Sequence, residues 1–176
     1  MGTPKFSVET LKILADSHYD IACVYTQPAK KSLRGQRINE SAVQKVAREL
    51  KLNFRCPVNL NNKEEYDYFK SLNPYIVIVV AYGKIIPKNY LNIPNKGFIN
   101  IHASLLPKWR GAAPIQRSIM SRDQYSGISI MQIKEDLDVG PIMRQIKVKI
   151  EEQTTTKILS DKLSELGAKN ILDCIS

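Results

Sequence analysis

The run Tyr75-Ile-Val-Ile-Val-Val-Ala81 constrains the fold more than any other segment of this chain. It is continuous, β-branched and uncharged, the pattern of a central parallel strand covered on both faces. Pro74 stops the helix before it, because the ring removes an amide donor and biases Asn73 away from helical backbone. The run is far short of the roughly 20 apolar residues that a membrane-spanning helix needs. A strand of this kind must be flanked by other strands and covered by helices, which makes the chain an α/β protein.

The rest of the chain supplies those elements. Gly2-Thr3-Pro4 opens as a turn, with Thr3 as N-cap and Pro4 at the first helical position, leading a helix to about Ser17. Tyr19 to Thr26 reads as a strand, Ser41 to Leu50 as a helix, and Asn53 to Val58 as a short extended piece. Asn61-Asn62-Lys63-Glu64 starts a third helix. Phe98 to Ile101 and Gly127 to Ile133 are strands, Ala113-Pro114 begins a helix, and Ile142 to Ile150 alternates as a strand near an edge does. Thr155 or Thr156 caps a last helix carrying Ile158, Leu159, Leu163 and Leu166. The expected architecture is a mostly parallel open sheet with helices on both faces. At 176 residues it is one domain.

Composition adds bounds. Residues 1 to 20 mix charges through a helical pattern, so they do not read as a secretory signal. Three widely spaced cysteines, Cys23, Cys56 and Cys174, lack metal or disulfide spacing and read as buried thiols of a cytoplasmic protein. The net charge of +9 suits a polyanionic partner such as RNA, or a merely basic solvated surface. Lys30, Lys31, Arg34 and Arg37 concentrate part of that charge in one loop.

The chemistry is written in Gly97 to Arg117. Asn100 and His102 stand two apart at the end of a strand, so both side chains project from the same face. Ser104-Leu105-Leu106-Pro107 follows as a turn, placing the pair where ligands bind in open α/β sheets. A carboxamide can donate to a developing oxyanion, and an imidazole can donate or move a proton near neutral pH. Asp138, after the Gly127–Ile133 strand, reaches the same edge, and Asp136 and Glu135 compete with it on spacing. Each residue alone has a plain structural explanation; their combination with the Ser-Leu-Leu-Pro loop favours a site. With only His18 and His102 a multi-histidine metal site is excluded, and no G-x-S-x-G, G-x-G-x-x-G or P-loop occurs. Acyl transfer directly to a substrate amine remains.

Asn-Ile-His-Ala-Ser-Leu-Leu-Pro followed by Leu-Asp-Val-Gly-Pro resembles the formyltransferases that use 10-formyltetrahydrofolate. Thr26-Gln27-Pro28, Val80-Ala81-Tyr82-Gly83 and Pro107-Lys-Trp-Arg-Gly-Ala-Ala-Pro-Ile-Gln-Arg117 are similar to the methionyl-tRNA formyltransferase branch. The resemblance implies a Rossmann-like formyltransferase fold and formyl transfer to initiator methionyl-tRNA in translation initiation, by a cytoplasmic monomer without a metal. It makes Asn100, His102 and Asp138 catalytic. It assigns Ser104, Leu105, Leu106, Pro107, Tyr82, Gly83, Lys84, Ile85 and Ile86 to the folate, and Arg34, Gly35 and Arg37 to tRNA. Pro141 stands where some members carry an acid, and Ala103 where Gly is frequent. The resemblance also implies that the family's first strand and its C-terminal β-barrel domain are missing, so a truncated chain of reduced or no activity is expected. Formyl transfer to a small amine, such as a nucleotide sugar or glycinamide ribonucleotide, and a non-catalytic folate- or RNA-binding remnant are the alternatives.

Overall fold

The computed structural model describes residues 1–31 and 38–176. Its strands are β1 (Val24–Tyr25), β2 (Lys30–Lys31), β3 (Ile38–Asn39), β4 (Phe54–Arg55), β5 (Val77–Val79), β6 (Phe98–His102), β7 (Tyr125–Gln132) and β8 (Ile142–Lys149). β5 and β6 run parallel, and β7 and β8 extend that sheet antiparallel, in the order β5-β6-β7-β8. β1 and β4 pair in parallel, and β2 and β3 form a small antiparallel ribbon.

Met1 and Gly2 stand between β1 and β5. Gly2 N donates to Tyr25 O at 2.9 Å, Val80 N to Met1 O at 2.9 Å, and the Met1 amine to Ile78 O at 2.6 Å. A parallel bridge joins Gly2 to Val80. A Cβ on Gly2 would lie 2.7 Å from Ser7 Cβ and 3.0 Å from Val80 O, so the close approach of chain to chain here requires glycine.

Helices α1 (Val8–Ala15), α2 (Ala42–Glu49), α3 (Lys63–Ser71), α4 (Lys88–Leu91), α5 (Pro114–Met120) and α6 (Thr156–Ile175) complete the fold. Ser41, Asn62 and Thr155 cap α2, α3 and α6 by accepting from backbone amides of the first turn. Thr3 and Pro4 differ from expectation. Pro4 precedes a 3-10 turn, Lys5–Ser7, and Thr3 Oγ1 donates across the molecule to Tyr82 O at 2.8 Å instead of capping. The Tyr19–Thr26 strand is also shorter than its composition predicts: only Val24 and Tyr25 are laddered, because β4 offers a partner over two residues.

The alternation along β6 sorts its side chains. Ile99 and Ile101 join Ile128, Ile130, Val148, Leu159, Leu163 and Ile171 in a core between the sheet and α6. Phe98 joins Tyr25, Phe69, Val77, Val79 and Tyr90 on the opposite side. Burying each such side chain stabilises the fold by about 1.5–3 kcal/mol. Asn100 and His102 share the Phe98 face but lie beyond that core, at the strand's carboxyl end.

Candidate active site

Three side chains converge where β6 ends. Asn100 Nδ2 donates to Asp138 Oδ1 at 3.3 Å, and His102 Nδ1 lies 3.6 Å from Asp138 Oδ2. His102 is only 7% exposed and Asp138 11%. The second His102 nitrogen, Nε2, is 2.9 Å from Trp109 O. A carbonyl can only accept, so Nε2 carries a proton and Nδ1 is the nitrogen turned toward Asp138.

Asp138 reaches this position through an unusual backbone. Its φ is 51°, in the left-handed region, and its Oδ2 accepts from Gly111 N at 2.8 Å. The loop then returns tightly to β7: a Cβ on Gly140 would sit 1.8 Å from Gln132 O, which no side chain tolerates. Of the competing acids, Glu135 is drawn to Lys88 at 2.5 Å, and Asp136 is exposed. Asp138 is the acid that the geometry brings to Asn100 and His102.

The trio lies in a cleft of about 810 Å³ bordered by the Tyr82–Ile86 segment, the Gly111–Gln116 segment and the Lys134–Asp138 loop. Ligand pockets commonly have volumes of about 300–1,000 Å³. Ile85, 91% exposed, and Leu137 offer apolar surface at its rim, and Asn100, His102 and Asp138 bring polar groups to it. An apolar-walled cleft with a few convergent polar groups fits a small, largely apolar ligand carrying a polar reacting group.

The residues that the resemblance assigns to folate divide into two sets. Tyr82, Gly83, Lys84, Ile85 and Ile86 all border the cleft. Their backbone is pinned from outside. Gln27 Nε2 donates to Tyr82 O and Gly83 O, both at 2.9 Å, and Gly83 has φ 76°, which favours glycine. The Lys84 ammonium donates to Pro57 O and Val58 O, neither of which lines the cleft, at 2.7 and 2.5 Å. Ser104, Leu105, Leu106 and Pro107 do not border the cleft. Ser104 and Leu106 are buried, and Ser129 Oγ donates to Ser104 O at 2.7 Å while accepting from Leu106 N at 3.0 Å. Gln145 Nε2 adds bonds of 2.9 Å to Leu106 O and to Ser129 Oγ. The loop that follows His102 is thus tied to β7 and β8.

Gln27, Ser129, Gln145 and Asp123 escaped the sequence reading of the site. The Thr-Gln-Pro motif marked Gln27 without a role; nothing local marks the other three, which act across the sheet or from the turn after α5. Arg34, Gly35 and Arg37 lie outside the described residues.

A family model described as formyl transferase matches residues 1–175. The chain is 56% identical over 174 residues to a methionyl-tRNA formyltransferase of Pelagibacter ubique, covering 98% of this chain and 56% of that protein. It is 45% identical over 176 residues to one from Wolbachia sp. subsp. Drosophila simulans, covering 100% of this chain and 59% of the relative. The chain therefore spans less than two-thirds of the length of these curated relatives. Among solved structures, glycinamide ribonucleotide transformylase 1 from Symbiobacterium toebii superposes with a TM-score of 0.79 at 16% identity, covering 99% of this chain and 82% of that one. Phosphoribosylglycinamide formyltransferase from Bacillus halodurans does so with a TM-score of 0.75 at 22% identity, over 96% and 87%. At such identities the structural matches establish the Rossmann-like fold alone.

Proposed function

The chain belongs to the formyl transferase family, and from that premise we propose that it carries the catalytic domain that moves a formyl group from 10-formyltetrahydrofolate to the amino group of methionyl-tRNA. The observation that carries this reading is the convergence of Asn100, His102 and Asp138 at the carboxyl end of β6, in a cleft of ligand size. The identity to methionyl-tRNA formyltransferases over nearly the whole chain supports the acceptor.

In this reading the methionine amine attacks the formyl carbon, and the carbonyl electron pair moves onto the formyl oxygen. Asn100 has two amide hydrogens; one is directed at Asp138, and the other is available to that oxyanion. His102, its Nε2–H held by Trp109 O, adds a positive charge beside it once Nδ1, facing Asp138, also takes up a proton. The amine must lose a proton and the folate nitrogen must gain one as the carbon–nitrogen bond breaks. Asp138, which faces both His102 Nδ1 and Asn100, holds the imidazole and the water that carries this proton. The Tyr82–Ile86 segment forms a wall for the pterin through its backbone, and the basic residues 30 to 37 attract the tRNA phosphates.

Acceptor competition tests the proposal. With 10-formyltetrahydrofolate and equal concentrations of methionyl-tRNA and glycinamide ribonucleotide, the expected product is formyl-methionyl-tRNA. Preferential formylation of the small amine would overturn the assignment of the acceptor.

A further inference from the structure

We propose that Asp123 is a positioning residue for His102, acting through Trp109; the catalytic part of this inference rests on the function proposed above. Asp123 lies in the turn between α5 and β7, outside the cleft lining. Its backbone is fixed by the bond from its own N–H to Ser118 O at 3.0 Å. Its side chain, 9% exposed, accepts from Trp109 Nε1 at 2.8 Å and from Lys108 Nζ at 2.7 Å. Burial opposes the charge on this carboxylate, but the bonds from Lys108 and Trp109 outweigh burial and hold its pKa below the ordinary aspartate value.

Those contacts hold an unfavourable backbone in place. Trp109 has φ 59°, a left-handed conformation that is unfavourable for a residue with a Cβ. Local bonds hold the residue before it: Lys108 N donates to Leu105 O at 3.1 Å, and Ser104 Oγ to Lys108 O at 2.5 Å. The Trp109 indole, anchored on Asp123, fixes the next step of the chain. That step aims Trp109 O at His102 Nε2, 2.9 Å away. The result is a relay from a carboxylate through an indole and its own backbone carbonyl to the catalytic imidazole. It keeps the proton on Nε2 and leaves Nδ1 facing Asp138. Without the anchor, Trp109 relaxes toward a right-handed conformation, its carbonyl swings away and His102 loses its fixed tautomer.

Long-range proton–nitrogen correlation on the 15N-labelled full chain reads this directly, because only His18 and His102 contribute imidazole signals. In the wild type His102 should show a protonated Nε2. Asp123→Ala should replace it with exchange-averaged nitrogens and lower kcat about 10- to 100-fold, the scale of a misplaced catalytic group. KM for the folate should stay within twofold. Trp109→Phe, which keeps most of the packing and removes one N–H, should shift the spectrum and kcat the same way. Asp123→Asn retains an acceptor for the indole and should restore both toward wild type. A wild-type His102 spectrum in both Asp123→Ala and Trp109→Phe would overturn the clamp. A changed spectrum with unchanged kcat would overturn its catalytic consequence. If Asp123→Ala does not fold, the Trp109→Phe result decides. The spectrum needs no turnover, so a wild type with the predicted tautomer but no formyl transfer would count against the proposed function and not against the clamp.

Discussion

Asn100 carries the heaviest chemical demand in the proposed site, because charge develops on an oxygen that no metal neutralises in this reading. Where a preorganised oxyanion donor has been removed, the loss is about 100- to 1,000-fold in kcat, or roughly 3–4 kcal/mol. Asn100→Ala should fall in that range with the affinity for a folate analogue unchanged. Single-turnover rates together with analogue titration check it; a proportionate loss of affinity would make Asn100 a binding group instead. The residues around it are held under strain. Ala81, Trp109, Ala113 and Asp138 all have positive φ without being glycine, and all four border or support the cleft. Such conformations persist only where the surroundings over-determine them. The Asn100–His102 pair was legible because strand alternation is a rule of the backbone. Spacing made Asp138 legible as one of three acids and the resemblance singled it out; in the structure its bonds to Gly111 N and Asn100 set it apart from Glu135 and Asp136. Asp123 was not legible, since its partners lie 14 and 15 positions away.

At the scale of elements, the caps at Ser41, Asn62 and Thr155 follow from local chemistry, and the strand at Val77–Val79 follows from β-branching. What pairs with what does not. Thr3 has the local signature of a cap, yet it serves the Tyr82 carbonyl far along the chain. The same limit applies to the ion pair that joins β4 to α3. Arg55 grips Glu65 with Nε and an Nη, and the Tyr25 hydroxyl donates to Glu65 Oε1 at 2.7 Å. Burial would raise the Glu65 pKa, but the bonds from Arg55 and Tyr25 win and lower it. A carboxylate lowered on folding contributes stability above its unfolded pKa of about 4.5 and loses it as pH falls through the folded value. Glu65→Gln should therefore cost about 2 kcal/mol at pH 7, modest for a buried pair because the Arg55 side chain is 33% exposed. The gap between wild type and variant should narrow as pH falls below the unfolded value of about 4.5 and through the lower folded one. Urea unfolding at several pH values measures it, and a constant gap would remove the ionic contribution.

For the molecule as a whole, the sheet does two jobs at once. One face of β6 packs on α6, and the other carries a core that gives way, at the strand's carboxyl end, to Asn100 and His102. The fold class was readable from the order of strand and helix signals, and β1 and β4 fall inside the longer stretches expected for them. The β2–β3 ribbon was not readable, because a two-residue ladder depends on a neighbour rather than on composition. The central claim is that His102 acts in formyl transfer and is dispensable for holding folate. The most direct measurement compares wild type and His102→Ala for formyl-methionyl-tRNA formed from 10-formyltetrahydrofolate, alongside thermal stabilisation of each by a folate analogue. A ligand at 100 times its dissociation constant adds about 2.7 kcal/mol to stability. Both proteins should show that stabilisation, and formyl transfer should be at least about 100-fold slower in His102→Ala. Equal rates of formyl transfer in the two proteins would contradict it.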